Sequence, residues 1–223
     1  MILPVLTLAH AALAAEAATL VPPPSAEPPA ASDALQTLVI SGGCFWGVQG
    51  VYQHVKGVES AVSGYAGGAQ ATASYGTVST GQTGHAESVK ITFDPRVVSA
   101  GSLLRIFFSV AHDPTQRDHQ GPDFGTQYRS AIFYADEGQM TLAKNYIAQL
   151  TRAGAFKQPI VTRVEPLKGF YAAEDYHQDY LTLHPTSGYI VMNDQPKIEN
   201  LKRLFPEFYN DKPKLIGAAS GPS

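Results

Sequence analysis

The sequence predicts an α+β fold: a single two-layer domain in which a mixed or antiparallel sheet is covered by helices and connected by long loops. The chain has 223 residues, of which 44% are hydrophobic and 16% charged, and this composition provides for one sizeable core or two small ones. Segments with strand-like and helix-like hydrophobic spacing are interspersed along about 175 residues, which is typical of an α+β domain. No repeat period is present along the chain.

The first half of the body is expected to hold three strands and two helices. Residues 38–40 form a short β-branched run that ends at a pair of glycines, and apolar residues then recur at spacings of three and four, which predicts strand, turn and helix. Residues 58–65 and 86–94 have the character of strands and end at glycine and proline respectively. Residues 102–111 are strongly apolar and predict a helix, followed by a loop with Asp-Pro and Gly-Pro pairs.

The second half is expected to hold two strands and three helices. Asp136 has the features of a helix N-cap, with Gln139 three residues later, and this helix should end at Gly154. The remaining predicted elements are strands over 127–135 and 160–164 and helices over 172–183 and 198–205. Within this fold class we expect a core of the ferredoxin-like α/β-plait type.

The two ends of the chain are expected to lie outside the folded body. Residues 1–20 have the apolar run and small-residue cleavage sites of a secretory signal peptide, although no basic residue precedes the run and His10 interrupts it. The run is too short to cross a bilayer. Residues 21–34 are rich in proline and alanine and are interpreted as a semi-rigid tether or unfolded spacer. The body should cover 35–210, with a flexible tail over 211–223.

These boundaries predict an exported protein, periplasmic or secreted, that has no membrane segment once the signal is removed. An uncleaved N-terminus would instead predict a cytoplasmic protein. The formal net charge is −3, from 16 basic and 19 acidic residues, and no basic run is present, so nucleic acid is not expected as a partner. Nothing indicates a long apolar strip for a second subunit, and we expect a monomer.

The chain contains a single cysteine, Cys44, which excludes an internal disulfide framework and a multi-thiolate zinc or iron–sulfur site. No two of the seven histidines stand four residues apart, so His85, His112 and His177 are interpreted as structural hydrogen-bonding residues rather than metal ligands. We therefore expect no metal and no bound cofactor.

Cys44 stands where the chain leaves a predicted strand, turns through two glycines and enters a predicted helix. Unpaired backbone N–H groups and the positive end of the helix dipole meet there, and both favour a thiolate. The alternative is a small buried hydrophobe, and position alone does not decide between the two. Phe45 and Trp46 would offer an apolar wall to a substrate, or they would be ordinary core residues.

The segment at residues 43–47, Gly-Cys-Phe-Trp-Gly, resembles the signature of the A-type peptide methionine sulfoxide reductases, enzymes that reverse methionine oxidation. The resemblance covers residues 37–208 and implies a single-cysteine member of that family with a catalytic domain over 35–210. It continues in order through residues 64–68, Tyr75, residues 83–87, 112–114, 120–130 and 173–178.

Glu87 shares one face of its period-two strand with Val89, Ile91 and Phe93. A carboxyl on that apolar face should be desolvated, which raises its pKa and lets it hold a proton near neutral pH. From the residues alone, an ion pair with an arginine at the rim is the alternative. The resemblance implies the catalytic role, because the matching Gly-His-Ala-Glu carboxyl of the family assists attack on the sulfoxide.

The resemblance also assigns Tyr75 and Tyr128 as hydroxyls that face the sulfoxide oxygen, and Asp123 as a polar group of the substrate-binding rim. Phenols suit this role, since each donates one hydrogen bond from an otherwise apolar body. Without the resemblance, both tyrosines would be interpreted as packing residues. Phe45 and Trp46 would accept the S-methyl group of the substrate.

The resemblance implies that Cys44 attacks the sulfur of a methionine S-sulfoxide, free or in an oxidised peptide or protein, and becomes a sulfenic acid. No resolving cysteine is present. The reductant is therefore expected to be an external thiol: a thioredoxin-like or glutaredoxin-like protein, glutathione or dithiothreitol.

Two other functions fit the residues. A cysteine hydrolase or acyltransferase would use Cys44 activated by His85, His112 or His177. A non-catalytic module would bind apolar side chains beside Phe45 and Trp46.

Overall fold

The computed structural model describes residues 18–27 and 34–217. Most of the predicted signal peptide, residues 1–17, and the end of the predicted tail, residues 218–223, lie outside these ranges. Within them, no helix combines the length and the hydropathy required to span a bilayer.

A six-stranded sheet forms the centre of the molecule. Its strands are β1 (Gln36–Ser41), β2 (Val58–Ala66), β3 (Ala86–Phe93), β6 (Ala131–Tyr134), β7 (Arg163–Pro166) and β8 (Phe170–Ala172), and a separate two-stranded ribbon consists of β4 (His119–Gln120) and β5 (Asp123–Phe124). The order across the sheet is β7-β6-β1-β3-β2-β8. Strand β7 runs parallel to β6, and all other neighbours are antiparallel. The central order β6-β1-β3-β2 is that of the predicted ferredoxin-like plait, so the α+β fold class is confirmed.

Helices cover one face of this sheet and build the larger core. They are α1 (Phe45–Gln53), α2 (Tyr75–Val78), α3 (Ala100–Ile106), α4 (Glu137–Arg152), α5 (Tyr180–Leu183) and α6 (Gln195–Leu204). Val51 of α1, Leu103 of α3 and Ile91 of β3 are fully buried in a single cluster. A smaller cluster around Val39 and Phe133 covers the opposite face of the sheet. Alternate residues of the strands thus supply two hydrophobic layers.

The predicted N-cap of α4 is confirmed. The Asp136 side chain accepts a hydrogen bond from the Gln139 backbone N–H at 2.8 Å, which satisfies one of the unpaired donors of the first turn. The helix ends near Gly154, which has a φ of +59°, the left-handed conformation that glycine adopts most readily.

The prediction of a helix over 172–183 is wrong. Ala172 instead ends β8 and pairs with Gly64 of β2, residues 175–177 form one 3₁₀ turn, and Asp179 has a φ of 58° before the short α5. The Gln178 amide donates to the Ser63 carbonyl at 2.9 Å and accepts from its N–H at 3.0 Å. These tertiary bonds to the sheet edge override the helical spacing.

The predicted strand over 127–135 is shorter than expected, because residues 126–128 form a 3₁₀ turn before β6. The predicted strand over 160–164 lies a few residues later, in β7. The helix predicted over 102–111 is α3, which begins at Ala100 and continues as a π-helical segment over Phe107–Ala111.

The described part of the proline-rich segment is not a free tether. Val21 is 1% exposed and belongs to the main core. Its N–H donates to Ser109 Oγ at 3.2 Å, and its carbonyl accepts from Arg105 Nε at 2.9 Å. The Tyr146 hydroxyl donates to the Pro22 carbonyl at 2.6 Å. Prolines hold this segment extended, so its carbonyls are available to side chains of α3 and α4.

The described part of the tail is also attached to the body. The Lys214 N–H donates to the Gln53 carbonyl at 2.9 Å, and the N–H groups of Ile216 and Gly217 donate to the Asp179 carboxylate at 3.2 Å each. A free tail was expected from its polar composition, which does not reveal hydrogen bonds of its backbone to distant residues.

Candidate active site

Cys44 is the N-cap residue of α1 and follows the end of β1 by three residues. The two glycines before it allow this turn. Gly43 has a φ of +86°, and a Cβ there would lie 2.6 Å from Gln120 Cβ. A Cβ on Gly42 would lie 2.9 Å from the His112 ring. The chain can therefore bring the cysteine this close to its neighbours only because both positions lack a side chain.

Glu87 lies beside this turn, on β3. The residue is 3% exposed, and its Oε2 accepts a hydrogen bond from the Phe45 N–H, the first donor of α1, at 3.1 Å. Burial raises the pKa of Glu87 to about 8, with a smaller contribution from the Asp123 and Asp194 carboxylates, against the Phe45 N–H. The predicted desolvation is confirmed. Among the residues described, none forms an ion pair with Glu87.

The Cys44 thiol is held in its protonated form. Burial raises its pKa well above the ordinary value, the Glu87 and Asp194 charges raise it further, and only the Trp46 N–H opposes them. Position in the sequence left open whether this cysteine is a thiolate or a buried thiol, and burial decides for the thiol. A helix N-terminus contributes about 0.3–1 kcal/mol, which is less than the cost of burying an uncompensated charge among carboxylates.

Tyr75 and Tyr128 both lie within electrostatic range of this pair. Tyr75 begins α2, and its N–H donates to Glu174 Oε1 at 2.9 Å. Tyr128 lies in the 3₁₀ turn before β6. Burial raises the pKa of each phenol, and the negative charge that Glu87 carries when ionised raises it further. Both hydroxyls thus remain protonated and close to the thiol and the carboxyl.

Trp46 forms the aromatic side of the site, while Phe45 is core. Phe45 is 1% exposed. The half-buried Trp46 ring stacks on Tyr180, with centroids 3.8 Å apart and planes 10° apart, and meets the edge of Tyr189 at 5.8 Å. Trp46 Nε1 donates to His177 Nδ1 at 3.2 Å. The two predicted wall residues therefore have different surroundings.

Asp123 lies in β5 and is half-buried. It accepts a hydrogen bond from the Tyr189 hydroxyl, and burial raises its pKa. Its charge acts on Glu87 and on Cys44. The structure thus brings together all seven residues that the sequence suggested: Cys44, Phe45, Trp46, Tyr75, Glu87, Asp123 and Tyr128.

Three further residues belong to the site and had no predicted role: Glu174, Tyr189 and Asp194. Glu174 holds Tyr75 and accepts from the Tyr65 hydroxyl at 2.8 Å. Tyr189 binds Asp123 as described, and Asp194, fully buried, lies 3.3 Å from the Lys197 ammonium group. Glu174 stands inside a recognised block. The sequence signal for Asp194 is only its place two residues after the apolar run 190–192.

The histidines in the segments that resemble the family form hydrogen bonds away from the thiol. The His112 ring lies 2.7 Å from Ser130 Oγ and 3.1 Å from the Phe107 carbonyl, and burial lowers its pKa to about 3. His85 Nδ1 accepts from the Gly68 N–H at 3.2 Å. Across residues 18–27 and 34–217, no group of three or more His, Cys, Asp or Glu side chains is arranged to hold a metal ion.

Comparison with known proteins agrees with this geometry. A family model described as peptide methionine sulfoxide reductase matches residues 36–208. The chain is 60% identical to the peptide methionine sulfoxide reductase MsrA 2 of Mesorhizobium japonicum over 83% of this chain and 95% of that protein. It is 49% identical to MsrA 2 of a Synechocystis species, over 79% of this chain and 80% of the relative.

Solved structures give the same result. The reduced form of Mxr1 from Saccharomyces cerevisiae superposes with a TM-score of 0.61 at 33% identity, covering 73% of this chain and 91% of that one. Methionine sulfoxide reductase A of Corynebacterium diphtheriae superposes with a TM-score of 0.59 at 35% identity, covering 70% and 77% respectively.

Proposed function

The chain belongs to the peptide methionine sulfoxide reductase family and is an oxidoreductase that reduces methionine sulfoxide, and we propose that it does so at the sulfur of Cys44. The observation that carries this proposal is the adjacency of a lone thiol and a buried, protonated carboxyl. Cys44 caps α1, and Glu87 accepts the N–H of the very next residue. A nucleophile and a proton donor are therefore fixed by the same helix turn.

In the first step the Cys44 sulfur forms a bond to the electrophilic sulfur of the sulfoxide, while Glu87 gives its proton to the sulfoxide oxygen. The S–O bond of the substrate and the transient S–S bond then break as the hydroxyl moves to Cys44, which becomes a sulfenic acid, and methionine leaves. The thiol proton passes to Glu87 and replaces the proton that Glu87 gave. Methionine sulfur gains two electrons, Cys44 loses two, and the carboxyl ends as it began.

Tyr75 and Tyr128 would hold the sulfoxide oxygen during this step. Their raised pKa values keep both phenols as O–H donors, and two donors aimed at an oxygen that gains electron density stabilise the transition state. Trp46 would contact the S-methyl group, and the Asp123–Tyr189 pair would border the opposite rim. By resemblance to the A-type family, we propose the S epimer as the substrate.

An external thiol would complete the cycle. The sequence contains one cysteine, so no second thiol of this chain can condense with the sulfenic acid. A first thiol would displace water from Cys44 to give a mixed disulfide, and a second would release reduced Cys44. A thioredoxin-like or glutaredoxin-like protein, or glutathione, has the required chemistry.

The geometry does not favour the hydrolase alternative. A cysteine hydrolase needs a histidine hydrogen-bonded to its thiol. No hydrogen bond among the described residues joins Cys44 to a histidine, and the rings of His85, His112 and His177 bond to Gly68, Ser130 and Trp46 respectively. A binding module that lacks catalysis would not require a buried protonated carboxyl next to a cysteine.

The decisive experiment adds methionine S-sulfoxide to the reduced protein without a reductant and traps the product with dimedone. We expect about one methionine per chain and a dimedone adduct on the Cys44 peptide by mass spectrometry, because the cycle stops at the sulfenic acid. Cys44→Ser is the control and should give neither. Methionine formation without an adduct, or an acyl-enzyme burst with a chromogenic ester, would contradict the proposal.

A further inference from the structure

A buried ion pair lies beneath the first turn of α1. Asp194 ends the π-helical segment 190–194 and has no exposed surface. Its Oδ1 lies 3.3 Å from Lys197 Nζ, one turn later in α6, and the Lys197 side chain is 11% exposed. Both charges are thus largely removed from water. A buried ion pair contributes little net stability to a fold, because the cost of desolvating the two charges offsets their attraction.

The pair touches the helix turn that carries the nucleophile. A Cβ on Gly47 would lie 2.1 Å from Asp194 Oδ1 and 3.1 Å from Lys197 Nζ. Gly47 stands three residues after Cys44, in the first turn of α1. The absence of a side chain at this position allows the carboxylate to reach the helix backbone.

One oxygen of this carboxylate has no hydrogen-bond partner. Asp194 Oδ2 is buried and unpaired among the described residues, and such a group costs free energy that a purely structural ion pair would avoid by pairing both oxygens. Buried, incompletely satisfied charges concentrate at functional sites. The contact of Asp194 with α1, its burial and its unpaired oxygen therefore all indicate a role in the reaction rather than in stability alone.

Asp194 acts on both groups that carry a proton in the reaction. Burial is the main cause of the raised pKa values of the Cys44 thiol and of Glu87, and the charge of Asp194 adds to both. Lys197 lowers the pKa of Asp194 against the effect of burial, which leaves it at about 6, so the carboxylate is charged at neutral pH. The titratable groups around the pair are Cys44 on α1, Glu87 on β3, Asp123 on β5, Tyr189, and His112 beside Lys197.

We propose that Asp194, held against α1 by Lys197, is a positioning residue whose buried charge keeps the protons of Cys44 and Glu87 in place until a substrate enters. The catalytic role given to these two protons rests on the proposed function. A protonated thiol reacts poorly with peroxides and disulfides, and a protonated Glu87 is ready to donate. The positive end of the sulfoxide S–O dipole would then promote loss of the thiol proton at the moment of attack.

The test is the pH dependence of Cys44 alkylation by iodoacetamide without any sulfoxide. In the wild-type protein the midpoint should lie above that of free cysteine, about 8.5. Asp194→Asn removes the charge at almost constant volume and should move the midpoint to lower pH, with alkylation about 3- to 10-fold faster at pH 8. The alkaline limb of kcat/KM for methionine sulfoxide should move in the same direction.

Two variants serve as controls. Lys197→Arg keeps the positive charge and should retain the wild-type alkylation curve. Asp211→Asn removes an exposed carboxylate that pairs with Lys202, also on α6, and should change neither curve because exposed pairs are screened by solvent.

A folded Asp194→Asn variant with wild-type alkylation and kcat/KM curves would overturn the inference. If that variant does not fold, Asp194→Ser, which is also uncharged and is smaller, takes its place: an alkylation midpoint at the wild-type pH overturns the inference, and one moved to lower pH supports it. Alkylation needs no sulfoxide. A shifted curve in a protein that reduces no sulfoxide would therefore reject the proposed function and leave this inference standing.

Discussion

At the scale of single residues, the site depends on burial overcoming the helix dipole. The α1 N-terminus favours negative charge by about 0.3–1 kcal/mol, yet the nearby groups are a buried thiol and a buried carboxyl whose pKa values are raised. Desolvation can shift a pKa by several units, and so it decides the outcome. The resting site stores two protons, one on the nucleophile and one on the acid.

The stored proton on Glu87 leads to a prediction for pH dependence. The pKa of Glu87 is about 8, so the donating form predominates below that pH, and wild-type kcat/KM should fall as the pH rises through it. Glu87→Gln cannot donate a proton and should lower kcat by about 10²- to 10⁴-fold. The limb near pH 8 should disappear with it. Steady-state assays from pH 6 to 9 measure both effects.

Glu199→Gln, at an exposed position of α6, is the matched control and should behave as wild type. Wild-type rates for Glu87→Gln over the whole pH range would show that another group supplies the proton.

At the scale of elements, glycines decide how closely α1 approaches its neighbours. Gly42 and Gly43 let the strand-to-helix turn lie against His112 and Gln120, and Gly47 admits the Asp194 carboxylate. Glycine inside a helix costs roughly 1 kcal/mol relative to alanine. Here that cost is offset by close packing, which places the nucleophile among carboxyl and phenol groups.

Gly47→Ala tests this packing. Helix propensity alone predicts stabilisation, but the new Cβ would lie 2.1 Å from Asp194 Oδ1, and relieving such a clash costs about 1–3 kcal/mol. We expect lower thermal stability and reduced kcat/KM, measured by calorimetry and sulfoxide-dependent thiol consumption. Gly76→Ala, where no atom lies within 4 Å of the new Cβ, is the control for stability. A Gly47→Ala protein as stable and active as wild type would contradict the close approach.

The elements that could be predicted from the sequence are those determined by local patterns. The alternation in β3 and the N-cap at Asp136 depend on neighbouring residues and are found in the structure. The helix over 172–183 failed because Gln178 and Asp179 bond to segments over 100 residues away. The raised pKa of Cys44 was missed for a similar reason, since the burial that mainly causes it, and the Glu87 and Asp194 charges that add to it, come from distant parts of the chain.

At the scale of the whole molecule, the folded body extends beyond the part that matches the family. The family match begins at residue 36, but residues 18–27 lie on α3 and α4. Val21 is in the core, and Glu27 accepts from the Gly101 N–H at the start of α3 at 3.1 Å. This segment contacts neither Cys44 nor Glu87 in any described hydrogen bond, so it should affect stability and leave the chemistry unchanged.

Val21→Ala should therefore lower the free energy of unfolding by about 2 kcal/mol, the order of magnitude for a buried valine, with kcat/KM unchanged. Chemical denaturation measures the first and a standard turnover assay the second. The neighbouring Leu20 is 51% exposed, and Leu20→Ala should stay within about 0.5 kcal/mol of wild type. Equal effects of the two substitutions would show that the segment does not pack as described.

The stacked pair of Trp46 and Tyr180 gives the molecule an intrinsic optical signal. Trp46, two residues after the nucleophile, is the only tryptophan of the chain. Its ring stacks on Tyr180 and donates a hydrogen bond to His177. Indole emission depends on the polarity and the quenching groups within a few ångströms of the ring. Because no second indole contributes background, the tryptophan fluorescence of the protein reports on what lies next to the Trp46 ring during turnover.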